Sequence, residues 1–143
     1  MTMTLAKDLY TARATASGGR EGRSATDDGV LEVDLAVPRE MGGPGGATNP
    51  EQLFAVGYAA CFQSALAVVG RRQKVDTSQS RVSTEVTLGT AAEGAFGLKV
   101  GIHVSIPGAG DEVAVRLAEA AHQVCPYSNA TRGSVEVTLS ADG

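Results

Sequence analysis

Two cysteines, two histidines and a handful of charged residues beside glycine are the groups in this chain able to do chemistry. Cys61 lies in a run without charges, and helical spacing puts Phe54, Gly57, Tyr58, Ala65 and Val68 on its face. A cysteine so placed is either a small inert core residue or a thiol whose reactivity depends on what opposes its burial. Cys125 sits at a helix end before Pro126, with His122 three residues earlier, and the same two readings apply. Cys61, His103, His122 and Cys125 are zinc-ligand types, but Cys61 and His103 lack paired spacing. A Ser-His-Asp hydrolase is possible by inventory, yet no G-x-S-x-G elbow is present. Gly42-Gly43-Pro44-Gly45-Gly46 precedes a helix as a phosphate loop would, without the lysine and hydroxyl that such a loop needs. Arg20 and Arg23 lie in a glycine-rich loop, where the plain reading is two solvated charges.

The elements that must position these groups follow from periodicity. Leu9 to Thr15 has weak strand character, and Ser17 to Gly29 is broken by turn residues. Val30 to Val37 alternates, and Pro38 to Ala47 forms a second loop. A helix is predicted to start at Thr48-Asn49-Pro50-Glu51 and to run to about Arg72; a Thr48/Glu51 capping box and Asn49 as cap with Pro50 in the first turn fit equally well as its start. It is apolar all round and should be buried all round. Arg81 to Leu88 and Leu98 to Ile106 alternate as strands. Asp111 and Glu112 open a second helix with the stripe Val113, Leu117, Ala120, Ala121 and Val124, which Pro126 should stop. Ser134 to Ser140 reads as a last strand. The order ββ–α–ββ–α–β points to an α+β fold with antiparallel sheets packed around an apolar central helix.

The 143 residues suit one domain, 1–143, large enough to fold without disulfide staples. A net charge of −4 argues against nucleic acid as a partner, and the absence of Trp argues against a base-stacking platform. Met1 to Asp8 lacks the basic and apolar regions of a secretory signal, so a cytoplasmic address is expected. The uncharged run Leu53 to Val69 has 17 residues, short of the roughly 20 that a membrane span requires, so no membrane partner is expected.

The wording of four blocks is more specific than these patterns. Ala14 to Arg20 with Gly18-Gly19-Arg20, Thr48 to Phe54, Gly57 to Phe62, and Val124 to Gly133 closely resemble the signature blocks of the organic hydroperoxide resistance proteins (Ohr) of the OsmC-like superfamily. They follow in order over nearly the whole chain, and Cys125-Pro126-Tyr127-Ser128-Asn129-Ala130 favours the Ohr branch. The resemblance implies an intertwined homodimer and a thiol-dependent peroxidase for organic hydroperoxides. Cys61 would be the peroxidatic cysteine, Cys125 the resolving one, and Arg20 and Glu51 the catalytic arginine and glutamate. It implies no bound cofactor and no metal. A dihydrolipoyl dithiol on a lipoylated partner protein would be the external reductant. The other class in view is a redox-sensing or small-ligand-binding protein that uses the same cysteines without efficient turnover.

Elementary chemistry fits these roles. The nucleophile is a thiolate, and a free cysteine titrates near 8.5. Burial raises that value, while a guanidinium, always charged, opposes the rise. Glu51 would orient Arg20 through a bidentate pair. Phe54 and Tyr58 on the Cys61 face, with adjacent Phe62, would favour an apolar substrate. Glu51 and Cys61 are ten residues apart, about 15 Å along a helix, too far for one arginine to hold both easily. Antiparallel helices from two chains would bring Glu51 of one copy near Cys61 of the other.

Overall fold

In the computed structural model, which describes residues 2–143, Gly18 to Gly22 form the tight turn that starts the first sheet. Gly18 has φ +79° and a side chain there would meet the Gly22 backbone at 2.8 Å, so only glycine fits. The turn separates β1 (Ala14–Ser17) from β2 (Arg23–Thr26), and β3 (Glu32–Asp34) adds to β2, all antiparallel. The strand expected at Leu9 to Thr15 therefore begins later, at Ala14. Leu9 and Tyr10 are 88% and 83% exposed, so no burial drives that stretch into a sheet. The region expected to be broken contains β2, which pairing with β1 and β3 holds in place. The strand expected over Val30 to Val37 shrinks to β3, continued by a bridge from Leu35 to Thr48.

The described chain divides into two compact units, Met1–Leu53 and Phe54–Gly143. The first ends in the opening turn of α1 (Pro50–Gln73). Asn49 is the cap: its Oδ1 accepts from the Gln52 amide at 2.9 Å, and Pro50 occupies the first helical position. Thr48 instead donates its hydroxyl to Gln52 Oε1 at 2.8 Å.

The second unit carries the rest of α1, β4 (Arg81–Thr90), β5 (Phe96–Ser105), α2 (Asp111–Val124), α3 (Pro126–Thr131) and β6 (Glu136–Asp142). Its core joins Tyr58, Phe62, Leu66 and Val69 of α1 to Val100, Ile102 and Val104 of β5 and to Leu117 and Ala121 of α2. The inward alternation of β4, β5 and β6 matches the periodicity of the sequence. Two expectations are corrected here, on sheet pairing and on the burial of α1, and one short helix is added. The β5–β6 pair is parallel, so this sheet is mixed; α2 and α3 form the crossover that such a pair requires. Pro126 ends α2 but starts α3, because proline is tolerated at a first helical position. In the single chain α1 is buried on one side only: Val56 is 71% exposed, and Ala60, Gln63 and Ser64 share its face. At 24 residues α1 is also long and apolar enough to cross a membrane by length and composition, since its charges stand at its ends beyond the uncharged run. Its inward residues pack in the core.

Candidate active site

In the first unit Arg20 leaves a single 3₁₀ turn, Gly19–Glu21, that Gly18 and Gly22 make possible. The Gly22 carbonyl accepts from the Leu35 amide at 2.9 Å, which fixes the turn next to β3. Glu51 lies in the first turn of α1, where a carboxylate suits the helix dipole. Arg20 Nη1 donates to Glu51 Oε2 and Nη2 to Oε1, each at 2.7 Å. The hydrogen bonds from Arg20 hold the Glu51 carboxyl below the usual carboxylate range, and Glu51 raises the guanidinium further in turn. Arg23, which looks equivalent in sequence, makes an exposed cross-strand pair with Glu32 at 3.0 Å. The Gly42–Gly46 loop turns its amides inward: Gly43 donates to the Pro38 carbonyl and Gly45 to the Val37 carbonyl.

In the second unit the two cysteines meet. Cys61 is half-buried at mid α1, and Cys125 is fully buried at the junction of α2 and α3. Both are free thiols, with Sγ atoms 3.7 Å apart. Burial pushes the Cys61 thiol up; the Tyr127 backbone N–H pulls it down, and the neighbouring Cys125 adds to the rise.

Beside the thiols stand three aromatic rings. Phe54 and Tyr58 are 5.9 Å apart at their centroids, Tyr58 and Tyr127 5.7 Å, and Phe54 and Tyr127 6.1 Å. Such edge-on and tilted contacts are favourable for aromatic pairs. Tyr58 is fully buried, so Phe54 and Tyr127 supply the surface that reaches solvent, with Tyr58 behind them; Phe62, also fully buried, lies against His122 instead. Tyr127 escaped the reading of the residues. Its signal was Gly57: a Cβ there would stand 3.2 Å from the Tyr127 hydroxyl, so the helix leaves a gap for that ring. Ser128 and Thr131 also went unnoticed. They bind the Tyr58 hydroxyl at 2.8 and 3.1 Å.

The two histidines occupy different surroundings. His122 Nδ1 shares a hydrogen bond with Ser128 Oγ at 2.8 Å. His103 bridges Ser140 at 2.7 Å and Asp142 at 2.8 Å on an exposed sheet face. Among the described residues no group of three or more His, Cys, Asp or Glu is arranged to hold a metal ion.

The chain is similar to known proteins in sequence and in fold. The family model for OsmC-like protein matches residues 43–140. An organic hydroperoxide resistance protein of Xanthomonas axonopodis pv. citri is 49% identical over 136 residues, covering 94% of this chain and 95% of its own. The chain belongs to the organic hydroperoxide resistance branch of the OsmC-like family. Two solved members of this branch bear out the α+β architecture with two sheets and a central apolar helix. The crystal structure of an organic hydroperoxide resistance protein from Legionella pneumophila has a TM-score of 0.91 at 52% identity, covering 96% of this chain and all of its own. OhrB of Bacillus subtilis has a TM-score of 0.85 at 43% identity, covering 94% of this chain and all of its own.

Proposed function

We propose that the chain is a thiol-dependent peroxidase that reduces alkyl and fatty-acid hydroperoxides to alcohols in the cytoplasm. The observation that carries the reading is the thiol pair: two free cysteines 3.7 Å apart, one half-exposed beside an aromatic surface and one buried behind it. The names of the relatives support the substrate class.

The Cys61 thiolate attacks the peroxide oxygen distal to the alkyl group. The O–O bond breaks, and the alkoxide takes a proton and leaves as alcohol. Cys61 becomes a sulfenic acid, oxidised by two electrons. The Cys125 sulfur then attacks the sulfenic sulfur. The S–O bond breaks, hydroxide leaves with the Cys125 proton as water, and a Cys61–Cys125 disulfide forms. A dithiol reduces that bond by exchange, returning two thiols and a cyclic disulfide. A dihydrolipoyl group on a lipoylated protein is the proposed dithiol, and no bound cofactor is required.

Arg20 is the proposed opponent of the burial that raises the Cys61 thiol, and Glu51 the residue that fixes its fork. Phe54, which reaches solvent, is the proposed apolar surface against the alkyl group, backed by the buried Tyr58; Phe62 is fully buried and adds to the core instead. The active unit is a homodimer with composite sites. α1 runs unbroken over Pro50–Gln73, which supports the spacing argument, and its exposed Val56 and Ala60 face suits a partner helix.

The test is steady-state consumption of tert-butyl and lipid hydroperoxides with dihydrolipoamide, beside hydrogen peroxide. Many turnovers per chain with the organic substrates are expected. Stoichiometric decay would instead indicate a redox sensor or ligand binder using the same cysteines.

A further inference from the structure

A buried chain of polar groups ties together the two segments that carry the sulfurs. Tyr58 precedes Cys61 by three residues on α1, and His122 precedes Cys125 by three on α2. Ser128 follows Cys125 by three, in the first turn of α3. Ser128 Oγ lies 2.8 Å from Tyr58 Oη and 2.8 Å from His122 Nδ1. Ser128 and Tyr58 are fully buried. The far side of the chain is fixed too: Tyr58 Oη also meets Thr131 Oγ1 at 3.1 Å, and Arg132 Nη2 donates to the His122 carbonyl at 2.6 Å.

None of these polar atoms is needed for attack on a peroxide. Buried polar groups cost stability unless all are satisfied, and a satisfied network makes its surroundings rigid. No buried side-chain nitrogen or oxygen among the described residues lacks a partner. What this network holds rigid is the α2–α3 junction against α1, and Cys125 is that junction. A disulfide requires a sulfur separation near 2.05 Å, so the thiols at 3.7 Å must approach by about 1.6 Å. That approach is short only while the junction stays in place.

The geometry points to Ser128 and His122 as positioning residues for the resolving step: through Tyr58 they keep Cys125 within reach of oxidised Cys61. The catalytic consequence rests on the peroxidase reading, whereas the effect on thiol pairing does not. In turnover, closure of the Cys61 sulfenic acid by Cys125 competes with a second hydroperoxide, which would oxidise it to sulfinic acid. A loose junction favours the second path.

The test uses the full chain with Ser128→Ala, His122→Leu and His122→Asn, the last keeping a polar atom where Nδ1 stands. Two quantities are read. One is the equilibrium constant for Cys61–Cys125 disulfide formation in a glutathione redox buffer. The other is the fraction of Cys61 converted to sulfinic acid per turnover with tert-butyl hydroperoxide, by mass spectrometry. In Ser128→Ala and His122→Leu the constant should fall about tenfold and over-oxidation rise about tenfold, the effect expected from one lost hydrogen bond. The rate of the first Cys61 oxidation should stay as in the parent, and His122→Asn should recover most of both quantities. A merely structural role would lower the melting temperature without moving the partition. Parent values of both quantities in folded Ser128→Ala would overturn the proposal. If Ser128→Ala does not fold, equal behaviour of His122→Leu and His122→Asn would do the same. A lowered disulfide constant in a chain whose parent consumes no hydroperoxide would uphold the positioning role and remove the peroxidase reading.

Discussion

Arg20 grips Glu51 with both terminal nitrogens, Nη1 on Oε2 and Nη2 on Oε1, at the same 2.7 Å. A fork of this kind fixes direction as well as charge. Arg20→Lys keeps the charge and loses the fork, so kcat/KM for tert-butyl hydroperoxide should drop by about 10²-fold, the scale of a misplaced catalytic group. Circular dichroism should not change. The pair also sets an acid limit. Glu51 titrates below its unfolded value because Arg20 hydrogen-bonds it. The pair's contribution is therefore complete above about pH 4.3, the ordinary glutamate value, and is lost as pH falls through the folded one. A melting-temperature series from pH 6 to 3 should fall more steeply in the parent than in Glu51→Gln, where Asp28, Asp76 and Asp142, also held low by hydrogen bonds, still contribute.

The two cysteines should fail in different ways. Cys61→Ser should abolish consumption from the first turnover. Cys125→Ser should complete one turnover and then stall with Cys61 as sulfinic acid. Rapid mixing with mass spectrometry of the intact chain separates the two, and equal loss of the first turnover would refute the assignment.

Apolar burial should set substrate preference. Each buried methylene is worth roughly 0.8 kcal/mol, or about fourfold in kcat/KM. Alkyl hydroperoxides should therefore exceed hydrogen peroxide, which has none. Phe54→Ala removes exposed surface from the aromatic group and should narrow the gap. Equal kcat/KM for hydrogen peroxide and a long-chain hydroperoxide in the parent would show that the surface does not select in this way.

Composite sites should complement. Glu51→Ala and Cys61→Ser chains, each inactive alone, should regain activity when refolded together, because one site of the heterodimer is then intact. Verified heterodimers without activity would mean that each site is built within one chain.

Much of the framework was legible because burial writes a period into the sequence. The facing residues of β4 and β5 could be read directly, since each strand has one inward side; the stripe of α2 was read only in part, because Leu117 and Ala121 are buried as expected but so are Ala114 and Ala118, small residues that carry little signal. The ends of α1 were legible from Pro50 and from Arg71 and Arg72, but its cap was open between Thr48 and Asn49, which differ only in which oxygen reaches the first turn. β1 and β2 left little trace, because four-residue exposed strands owe their existence to ladder pairing. The direction of β6 was not legible either, since alternation is the same in parallel and antiparallel strands. At the site, the cysteines, Arg20 and Glu51 came from the wording of the blocks. Tyr127 and Ser128 lay in those same blocks, but their partners Gly57 and Tyr58 are distant in sequence, and His122, though near Ser128 in sequence, is on a different helix, so only packing reveals such pairs.

The parallel pairing of β5 with β6 gives the thiol pair a history as well as a position. Cys125 lies in the crossover between those strands, 64 residues after Cys61, so no local hairpin or helix brings the sulfurs together. Closing so long a segment costs chain entropy before any contact repays it, whereas the β4–β5 hairpin closes across a short turn. During synthesis the Cys61 helix is made first and waits as an ordinary thiol while β4, β5 and α2 follow. The thiol pair is thus completed by the docking of the crossover, and a chain caught before that stage carries two separate cysteines instead of two thiols within reach of each other.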